Sequence, residues 1–521
     1  MQYVFSAWSS GTVNGTDSVS LTPTATTTSD TAMFTTQYLL TVNAGTGGTI
    51  AAATAPNGFY NAATSQTIAA TPNAGYYFSG WTGANSPTDI ARATNATTTV
   101  TMNAPETVTA NFAPIPSYIV GTTADDASGD ASNCPASPSI GSSCTLRDAL
   151  AAAATTSGGN ITFSATAFPT TNTAAQNTIT LAHGFLAIPN MTSIQGLTSG
   201  SGATLTNLVT VSGNSASAVF TVASGVTASL ANLTIAKGSE SSLGGGIATA
   251  GNLTISESTF SSNTAGTGGA IFNTGTLVVT GSAFVGNTTT DASGDGGAGI
   301  YNEATATVTN CTFSGNNAGT PTEEGEGGDG VSSSFGTMNV TGSTFAGNKG
   351  AIDVMDWGGT INVKNSILTE GTDNLSAFSA FPGTVNADHD LFVSDSDACS
   401  SCATNTSPVT ASSASVATLG NYGGPTQTLL PLPGSAAICA ATAADDPGGD
   451  TTDERGFPRT TTYNSTACID IGADQTNYAL SFTTDPPATG TAPGTAMTLS
   501  LIHISVISDQ ERLPPIPDVC V

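Results

Sequence analysis

Thr259-Phe260-Ser261-Ser262-Asn263 is the first of four short segments in which Asn follows Phe by three residues. The others are Ala-Phe-Val-Gly-Asn at 283–287, Thr-Phe-Ser-Gly-Asn at 312–316 and Thr-Phe-Ala-Gly-Asn at 344–348. Successive Phe residues stand 24, 29 and 32 positions apart. Repeats of about 20–50 residues are typical of stacked units. The segment therefore predicts a solenoid rather than a globular enzyme core.

The residues before each Phe alternate between inward and outward positions. Apolar residues stand five and seven positions upstream, and the residue between them is polar in three of the four copies. The two apolar sets are Ile255, Val279, Val308, Val340 and Leu253, Leu277, Ala306, Met338; between them stand Thr254, Val278, Thr307 and Asn339. Period-2 alternation is the mark of a strand with one buried face.

A second marker stands between the copies: Gly-Gly-Gly-Ile at 244–247, Gly-Gly-Ala-Ile at 268–271 and Gly-Ala-Gly-Ile at 297–300. The glycines permit a turn, and the Ile returns to the core. One strand, a turn, a second strand and a variable loop would then make up each repeat of a parallel β-solenoid. Coils of about 24 residues over 160–395 predict nine or ten coils.

Stacked coils place like residues on like residues at about 4.8 Å. The pattern predicts a phenylalanine stack inside the solenoid and an asparagine ladder at the turn, since stacked amides can both donate and accept. The structural residues are Phe260, Phe284, Phe313, Phe345, Asn263, Asn287, Asn316 and Asn348.

The paired markers, in fixed phase over four coils, resemble the repeats of polymorphic outer membrane proteins and related adhesin-like proteins. The likeness covers roughly residues 119–395. It implies an all-β fold, a right-handed parallel β-helix of the pectin-lyase-like kind, on a secreted or surface-exposed bacterial protein.

Charge and hydropathy exclude some partners. The chain has 521 residues, 36 acidic against 8 basic side chains and a net charge of −28. No basic patch can neutralise phosphates, so nucleic-acid binding is not expected. The sequence has no run of 18 apolar residues, so we expect no membrane span in this fragment.

Cysteine spacing indicates an oxidising compartment. Local disulfides are expected for Cys134–Cys144, Cys399–Cys402 and Cys439–Cys468. The Cys399/Cys402 spacing also occurs in zinc knuckles, but no second ligand pair lies near it. Cys311 precedes a core Phe and is expected to be reduced and buried.

Residues 1–37 match the second half of a unit that is complete at 38–114. Tyr-Val-Phe-Ser-Ala-Trp at 3–8 corresponds to Tyr-Tyr-Phe-Ser-Gly-Trp at 76–81. The unit resembles the divergent internalin-type repeat of bacterial surface proteins, so we expect a partial and a complete small β repeat. Trp81 is interpreted as part of a small core, with a sugar platform as the alternative.

The one predicted helix spans 145–154, because Thr145 and Asp148 form a capping box before an Ala-rich run. The segment from Cys144 resembles the Cys-Ser-Leu-Arg-Glu-Ala-Ile element at the start of many secreted bacterial β-helices. We therefore interpret 115–159 as a linker and an N-terminal cap. Arg147 is expected to pair with Asp148 or a backbone carbonyl.

Residues 396–418 are predicted to be a loop, and 419–474 a separate module. Leu-Gly-Asn-Tyr-Gly-Gly-Pro-Thr at 419–426, Asp-Glu-Arg-Gly-Phe-Pro-Arg at 453–459 and Cys-Ile-Asp-Ile-Gly-Ala at 468–473 resemble the choice-of-anchor domain of surface proteins. Arg455, Arg459, Asp453 and Asp470 are interpreted as an ion-pair cluster closing the last coil, with a binding site as the alternative.

The C-terminal residues change in character twice. Residues 475–498 resemble the truncated start of an immunoglobulin-like repeat. Residues 499–521 resemble a translated adaptor sequence, so we interpret this second range as a non-native tail. Signal peptide and anchor are then expected to be missing from this fragment.

The β-helix fold also hosts polysaccharide lyases and glycoside hydrolases, which need convergent carboxylates and cations. The weak catalytic candidates are Asp353 and Asp356 with Lys349 and Lys364. Two carboxylates three residues apart on an extended chain point to opposite faces unless a turn intervenes. A shared fold alone is no evidence that this chain has the catalytic activity of those enzymes.

No cofactor is expected, with calcium as the open alternative. Asp291, Ser293 and Asp295 have the oxygen spacing of the first half of a calcium loop, but Asn302 stands where the bidentate Glu belongs. Solvated acidic loops are the competing interpretation.

These patterns favour a monomeric, non-catalytic, adhesin-like or stalk-like protein on the bacterial cell surface. It would present a polar solenoid face to glycans, extracellular matrix or cells. The alternative is a lyase or hydrolase acting on acidic polysaccharide in a groove of the β-helix.

Overall fold

The structure, a computed structural model, describes most of the chain. The described residues are 1–9, 31–86, 88–137, 139, 141–156, 158–290, 296–318, 328–349, 353–369, 374–377, 383–393, 399, 402–441, 451–463, 466–476, 478–480 and 504–506. They form two compact units, 1–115 and 116–521.

The first unit contains two β-sheets. A five-stranded sheet joins Gln2–Trp8, Ala32–Ala44, Gly58–Asn61, Tyr76–Thr82 and Glu106–Pro114. A three-stranded sheet joins Gly48–Ile50, Ser65–Pro72 and Thr97–Thr101. Strand Ala32–Ala44 crosses the predicted boundary at residue 37, so both repeats share one sheet.

Aromatic contacts in this unit are duplicated. Phe78 lies 5.5 Å from Trp81 and 6.0 Å from Phe112, between ring centroids. The equivalent pairs Phe5–Trp8 and Phe5–Phe34 have the same separations. Trp81 is buried in a core with Leu40, Ile68 and Val100, and its Nε1 donates to Asn95 O at 3.1 Å. The indole is therefore used for packing.

The second unit is built on three long parallel sheets, and the predicted all-β parallel β-helix is confirmed. The first sheet has strands Ser117–Val120, Gly159–Phe163, Thr192–Gln195, Thr227–Ala231, Asn252–Ser256, Thr276–Thr280, Thr305–Thr309, Thr337–Thr341, Thr360–Lys364, Thr384–Asp388 and Thr404–Thr406. The second has Thr178–Thr180, Val209–Ser212, Leu233–Ala236, Thr259–Ser261, Ala283–Val285, Thr312–Ser314, Thr344–Phe345, Ile367–Leu368, Leu391–Val393 and Val409–Ala411. The third has Leu186–Ala187, Phe220–Val222, Ile247–Thr249, Ile271–Asn273, Ile300–Asn302, Val331–Ser334, Val354–Trp357 and Leu375–Ala377.

Each full coil therefore has three strands, and the expected two were wrong. A sharp corner divides the segment that the alternation suggested was one strand. The corner residue has left-handed backbone geometry in the seven successive coils from Thr227–Ala231 to Thr384–Asp388. These residues have φ of 47–56°: Asn232, Glu257, Gly281, Asn310, Gly342, Asn365 and His389. Asn and Gly dominate this column because they tolerate positive φ best.

The solenoid is also longer than predicted at both ends. Ser117–Val120 pairs in parallel with Gly159–Phe163, so the stretch 115–159 contains the first strand of the first sheet as well as the cap. Thr404–Thr406 and Val409–Ala411 continue the first and second sheets, so 396–418 is not simply a loop.

The cap helix runs Leu146–Thr155, with Thr145 as N-cap and the full capping box to Asp148. The carboxylate of Asp148 is used in this capping box, so Arg147 pairs with other groups. Its Nε lies 2.9 Å from Asp125 Oδ1, and its Nη2 donates to Gly184 O at 2.8 Å. These contacts hold the helix over the core at the first coil. In the described part of the chain, no helix has the length and apolar character needed to cross a membrane.

Short elements complete the unit: the antiparallel pairs Thr198–Ser199 with Thr206–Asn207, Thr461–Tyr463 with Thr466–Cys468 and Tyr478–Leu480 with Ile504–Val506, the parallel pair Thr264–Ala265 with Thr288–Thr289, and the 3-10 turns Ala131–Asn133 and Gly202–Thr204. Apart from 478–480 and 504–506, the residues interpreted as a truncated repeat and a non-native tail lie largely outside the description.

The C-terminal module was predicted to close the last coil, but its contacts extend beyond that coil. It lies along the outside of the second sheet. Ile469 and Ile471 form an apolar cluster with Ile367, Leu391 and Val393, which face outward from the last coils. The module therefore covers the side of the solenoid.

Candidate functional site: polar ladders and a buried charge cluster

Phe260, Phe284, Phe313 and Phe345 form a column inside the solenoid. Successive ring centroids are 4.9, 4.6 and 4.6 Å apart, and the planes differ by only 4–6°. All four side chains are fully buried. In-register pairing of the second sheet stacks one ring on the next.

The asparagines of the same segments form a directional ladder. Asn263 Nδ2 donates to Asn287 Oδ1 at 3.0 Å, Asn287 to Asn316 at 3.0 Å and Asn316 to Asn348 at 3.1 Å. The last amide donates to Asp353 Oδ1 at 3.0 Å. Asp353 is therefore the acceptor that ends the ladder.

A second ladder runs through the third sheet, and sequence reasoning missed it. Asn273 Nδ2 donates to Asn302 Oδ1 at 2.7 Å, and Asn302 Nδ2 donates to Ser333 Oγ at 3.1 Å. Asp356 occupies the next position of this column, in register with Ser333. The signal available in the sequence was Asn two residues after the Ile of two Gly-rich markers, at Asn273 and Asn302; the first marker has Thr249 there.

Asp356 accepts from the turn after its strand, as the asparagines do, but from the residue three positions ahead rather than two. Its Oδ1 accepts from Gly359 N at 3.0 Å, as Asn273 Oδ1 accepts from Gly275 N at 3.0 Å. Burial raises the pKa of Asp356 to about 6. A Cβ at Gly383 would collide with this carboxylate, so glycine makes room for it. The carboxyl group is thus packed at this position of the column, but no hydrogen bond among the described residues joins it to Ser333.

The four weak catalytic candidates do not form a common site among the described residues. Asp353 ends the inner asparagine ladder, Asp356 occupies the register position after Ser333 in another sheet, and both are buried. Lys364 Nζ lies 3.2 Å from Asp388 Oδ2, and Lys349 is exposed. Each group has a separate surrounding, which is not the convergent arrangement that lyase or hydrolase chemistry needs.

The calcium candidates Asp291, Ser293 and Asp295 lie outside the described residues. Within the described ranges, no group of three or more His, Cys, Asp or Glu side chains has the arrangement to hold a metal ion.

The densest group of charges lies between the C-terminal module and the coils. Arg455 Nη2 lies 2.6 Å from Asp453 Oδ2, and Arg455 Nε lies 3.2 Å from Asp474 Oδ1. Glu454 Oε2 accepts from Thr312 Oγ1 at 2.6 Å, and its Oε1 accepts from Thr426 Oγ1 at 3.0 Å. All the carboxylates of this cluster are almost completely buried.

Arg459 and Asp470 belong to the same cluster but do not form a simple pair. Arg459 Nη2 donates to Gly472 O at 2.7 Å. Asp470 accepts from the backbone N–H groups of Cys439 at 2.7 Å and Thr476 at 2.6 Å. These contacts tie three segments of the module together, which favours the structural interpretation.

Burial controls the protonation of this cluster. It raises the pKa of Glu454 well above the usual range, and the nearby charge of Asp474 raises it further. Burial raises the pKa of Asp474 to about 6, opposed by Arg455. Burial thus favours the protonated form of Glu454, which reduces the surplus of carboxylate over guanidinium charge in the cluster.

The outward face of the first sheet presents a regular polar array. One column, in register over five coils, consists of Thr276, Thr305, Thr337, Thr360 and Thr384. In the neighbouring column, Asn386 donates to Asn362 and Asn362 to Asn339, both at 2.8 Å. Thr404 Oγ1 donates to Asn386 Oδ1 at 2.9 Å. The amides are mutually ordered while remaining half-exposed.

The structure joins Cys134 to Cys144, Cys399 to Cys402 and Cys439 to Cys468. Cys311 is free and buried, and burial strongly raises the pKa of its thiol. It stands in a column whose other members include Ser282 and Ser343, and its N–H donates to Ser343 Oγ at 3.3 Å. The thiol therefore belongs to the corner packing.

Comparison with known families agrees with this architecture. Residues 38–116 match the divergent InlB B-repeat domain, and residues 193–368 match the right handed beta helix region. No curated protein and no solved structure matches the chain with significance. The chain is thus an all-β protein that carries a right-handed parallel β-helix preceded by a divergent InlB B-repeat.

Proposed function

We propose that this protein is a non-catalytic, secreted or surface-exposed bacterial protein whose solenoid acts as an adhesin-like stalk. Its binding surface is the outward face of the first sheet, with the threonine column Thr276–Thr384 and the amide ladder from Asn339 to Thr404. The expected partners are glycans, extracellular matrix or cell surfaces. The polymorphic-repeat, cap and choice-of-anchor resemblances support this proposal.

The main support for the proposed binding role is the amide ladder of the outward face. Hydrogen bonds along the axis fix Asn339, Asn362 and Asn386 in one orientation before any ligand arrives. Preordered polar groups lose little entropy on binding. The strand spacing of about 4.8 Å repeats the same donors and acceptors along the axis. An extended, uncharged polymer such as a neutral glycan fits this array, whereas the net charge of −28 disfavours polyanions.

The enzyme alternative has less support. Lyases and hydrolases of acidic polysaccharides need a cation near a carboxylate, both open to substrate. Asp353 and Asp356 are instead both buried, Asp353 accepts from the inner asparagine ladder, and Lys364 is paired with Asp388.

The experiment is a glycan-array and matrix-protein binding screen on the full chain, with a parallel lyase assay on polyuronates. The test variant is N339A/N362A/N386A, which removes the outward amides. The matched control is Asn43→Ala, at an exposed strand position of the first unit, outside the proposed binding face. The proposal expects binding that the triple variant reduces at least tenfold and the control leaves unchanged. Equal binding by both variants, or turnover of a polyuronate by the wild-type chain, would overturn it.

A further inference from the structure

One part of the C-terminal module contacts several successive coils of the solenoid. We call the described residues 425–428, 452–459 and 469–476 the clasp. Its hydrogen bonds to the solenoid join Pro425 O to Asn207 N, Thr426 Oγ1 to Gly281 O, Thr452 O to Asn310 Nδ2, Glu454 Oε2 to Thr312 Oγ1, Ala473 N to Thr344 Oγ1 and Gly472 N to Asn365 O.

These partners lie along a line parallel to the solenoid axis. They flank strands of the second sheet from Val209–Ser212 to Ile367–Leu368. The contacts from Gly281 to Asn365 cover three strand spacings, about 14 Å of the axis at roughly 4.8 Å each. Asn207, whose Nδ2 also donates to Glu257 O, extends the contact towards the earlier coils. Ile469 and Ile471 extend the contact to Leu391 and Val393 through apolar packing.

A solenoid without such a segment has only nearest-neighbour contacts. Its stability is then close to a sum of local terms, and coils at an end can open one at a time. A segment that binds several successive coils at once changes this, because opening any one of them also breaks contacts of the segment that holds the others.

The contacts of the clasp favour release as a unit. Glu454 is held by Thr312 of the coil and by Thr426 of the clasp, while Thr428 Oγ1 lies 2.9 Å from Thr312 Oγ1 and 2.7 Å from Asp474 Oδ2. Separating the clasp from the coil would leave buried polar and ionised groups without partners, which is costly. Partial separation is therefore disfavoured.

The coil also has a fitted seat for the clasp. Gly342 is a left-handed corner residue, and a Cβ on it would meet the guanidinium of Arg459, which approaches the backbone there. Arg459 is almost fully buried in this position. Gly342 of the coil and Arg459 of the clasp therefore fit each other closely at this contact.

We propose that the clasp couples the coils between Asn207 and Val393 into one cooperative unit, so that this stretch opens and resists force as a whole rather than coil by coil. The inference concerns the mechanical integrity of the solenoid and holds whatever ligand its outward face binds.

Native-state hydrogen exchange of the full chain, read by mass spectrometry over increasing denaturant, tests the coupling. In the wild-type chain, strands Ala283–Val285, Thr312–Ser314, Thr344–Phe345 and Ile367–Leu368 should share one opening transition. The variant T312V/T344V keeps side-chain volume but removes two hydroxyl groups that the clasp uses. In this variant, the backbone amides of Ile367–Leu368 and Leu391–Val393 should exchange at least tenfold faster than those of Leu233–Ala236.

The matched control is Thr259→Val, at the same register position two coils before Thr312. Its hydroxyl makes no hydrogen bond to the clasp among the described residues, so the shared transition should persist. Pulling the wild-type chain from both ends in single-molecule experiments provides a measurement that needs no variant. One large rupture for 207–393 supports the coupling. A staircase of coil-sized steps, graded exchange in the wild type, or no change in T312V/T344V would overturn it.

Discussion

Asn287 donates a 3.0 Å hydrogen bond through its side-chain amide to the side-chain oxygen of Asn316, which stands at the same position one coil further along the axis. The same amide also donates to Phe260 O, one coil back, at 3.0 Å. One residue thus links three coils. A buried amide with both donors used stabilises the stack and also fixes its register.

Replacing Asn287 with Ala tests this ladder. Asn263 Nδ2 and N would both lose their acceptor in a buried site, and an unsatisfied buried polar group costs about 1–3 kcal/mol. We expect a lower denaturant midpoint in equilibrium unfolding followed by circular dichroism. The exposed Asn252→Ala is the control and should stay within about 0.5 kcal/mol of wild type. Equal midpoints for both variants would contradict the ladder.

The phenylalanine column predicts a graded response at Phe284. Phe284→Ala leaves a cavity between two rings and should cost about 3–5 kcal/mol. Phe284→Leu should cost clearly less, because Leu368 already occupies the equivalent position next to Phe345. Thermal and denaturant unfolding of both variants measure the difference. If alanine and leucine were equally tolerated, Phe284 would not be packed in a column.

The seat of Arg459 predicts different effects for two glycines with the same backbone geometry. Gly342 and Gly315 have φ of 53° and 69°. A Cβ on Gly342 would collide with Arg459, whereas on Gly315 its nearest neighbour is 3.8 Å away. Gly315→Ala should therefore cost only the backbone term of about 1 kcal/mol, and Gly342→Ala distinctly more. Equal losses of stability would show that Arg459 does not occupy this seat.

The buried carboxyl groups predict an unusual pH dependence. Burial raises the pKa of Asp390 to about 8 and that of Asp474 to about 6. Because the folded chain binds these protons more tightly than the unfolded chain, stability is fully present near pH 4 and declines as pH rises toward 8. The unfolding midpoint should be higher at pH 5 than at pH 8.

Asp390→Asn provides the control for this prediction. It removes the group with the highest of these pKa values, so the decline between pH 6 and 8 should flatten even if overall stability changes. Lys364, Asp388 and His389 lie near this carboxyl group and remain unaltered in the variant. A wild-type midpoint that rises from pH 5 to pH 8 would contradict the account.

The fold could be predicted from the sequence because stacked coils place the same residue type at the same position of each repeat. Phe260 and Asn263 recur where parallel, in-register pairing needs them, and the Thr145/Asp148 box marks the cap helix. The corner between the first two sheets was missed because its residue type varies from Glu257 to Gly281 and Asn310. These residues share a backbone conformation rather than a side chain.

The position of the clasp could not be read from the sequence. The contact between Thr312 and Glu454 joins residues 142 positions apart, and no local pattern records such a pairing. The roles of Asp353 and Asp356 were hidden for a similar reason. A carboxylate packed in a polar column differs from a catalytic carboxylate only in its neighbours from other coils.

The stacking of coils is the central claim, and an experimental structure at side-chain resolution measures it most directly. We predict that the rings of Phe260, Phe284, Phe313 and Phe345 follow one another along a single axis at the 4.6–4.9 Å separations found here. Rings that are scattered through the unit, or that stack in another order, would contradict the solenoid and every inference drawn from it.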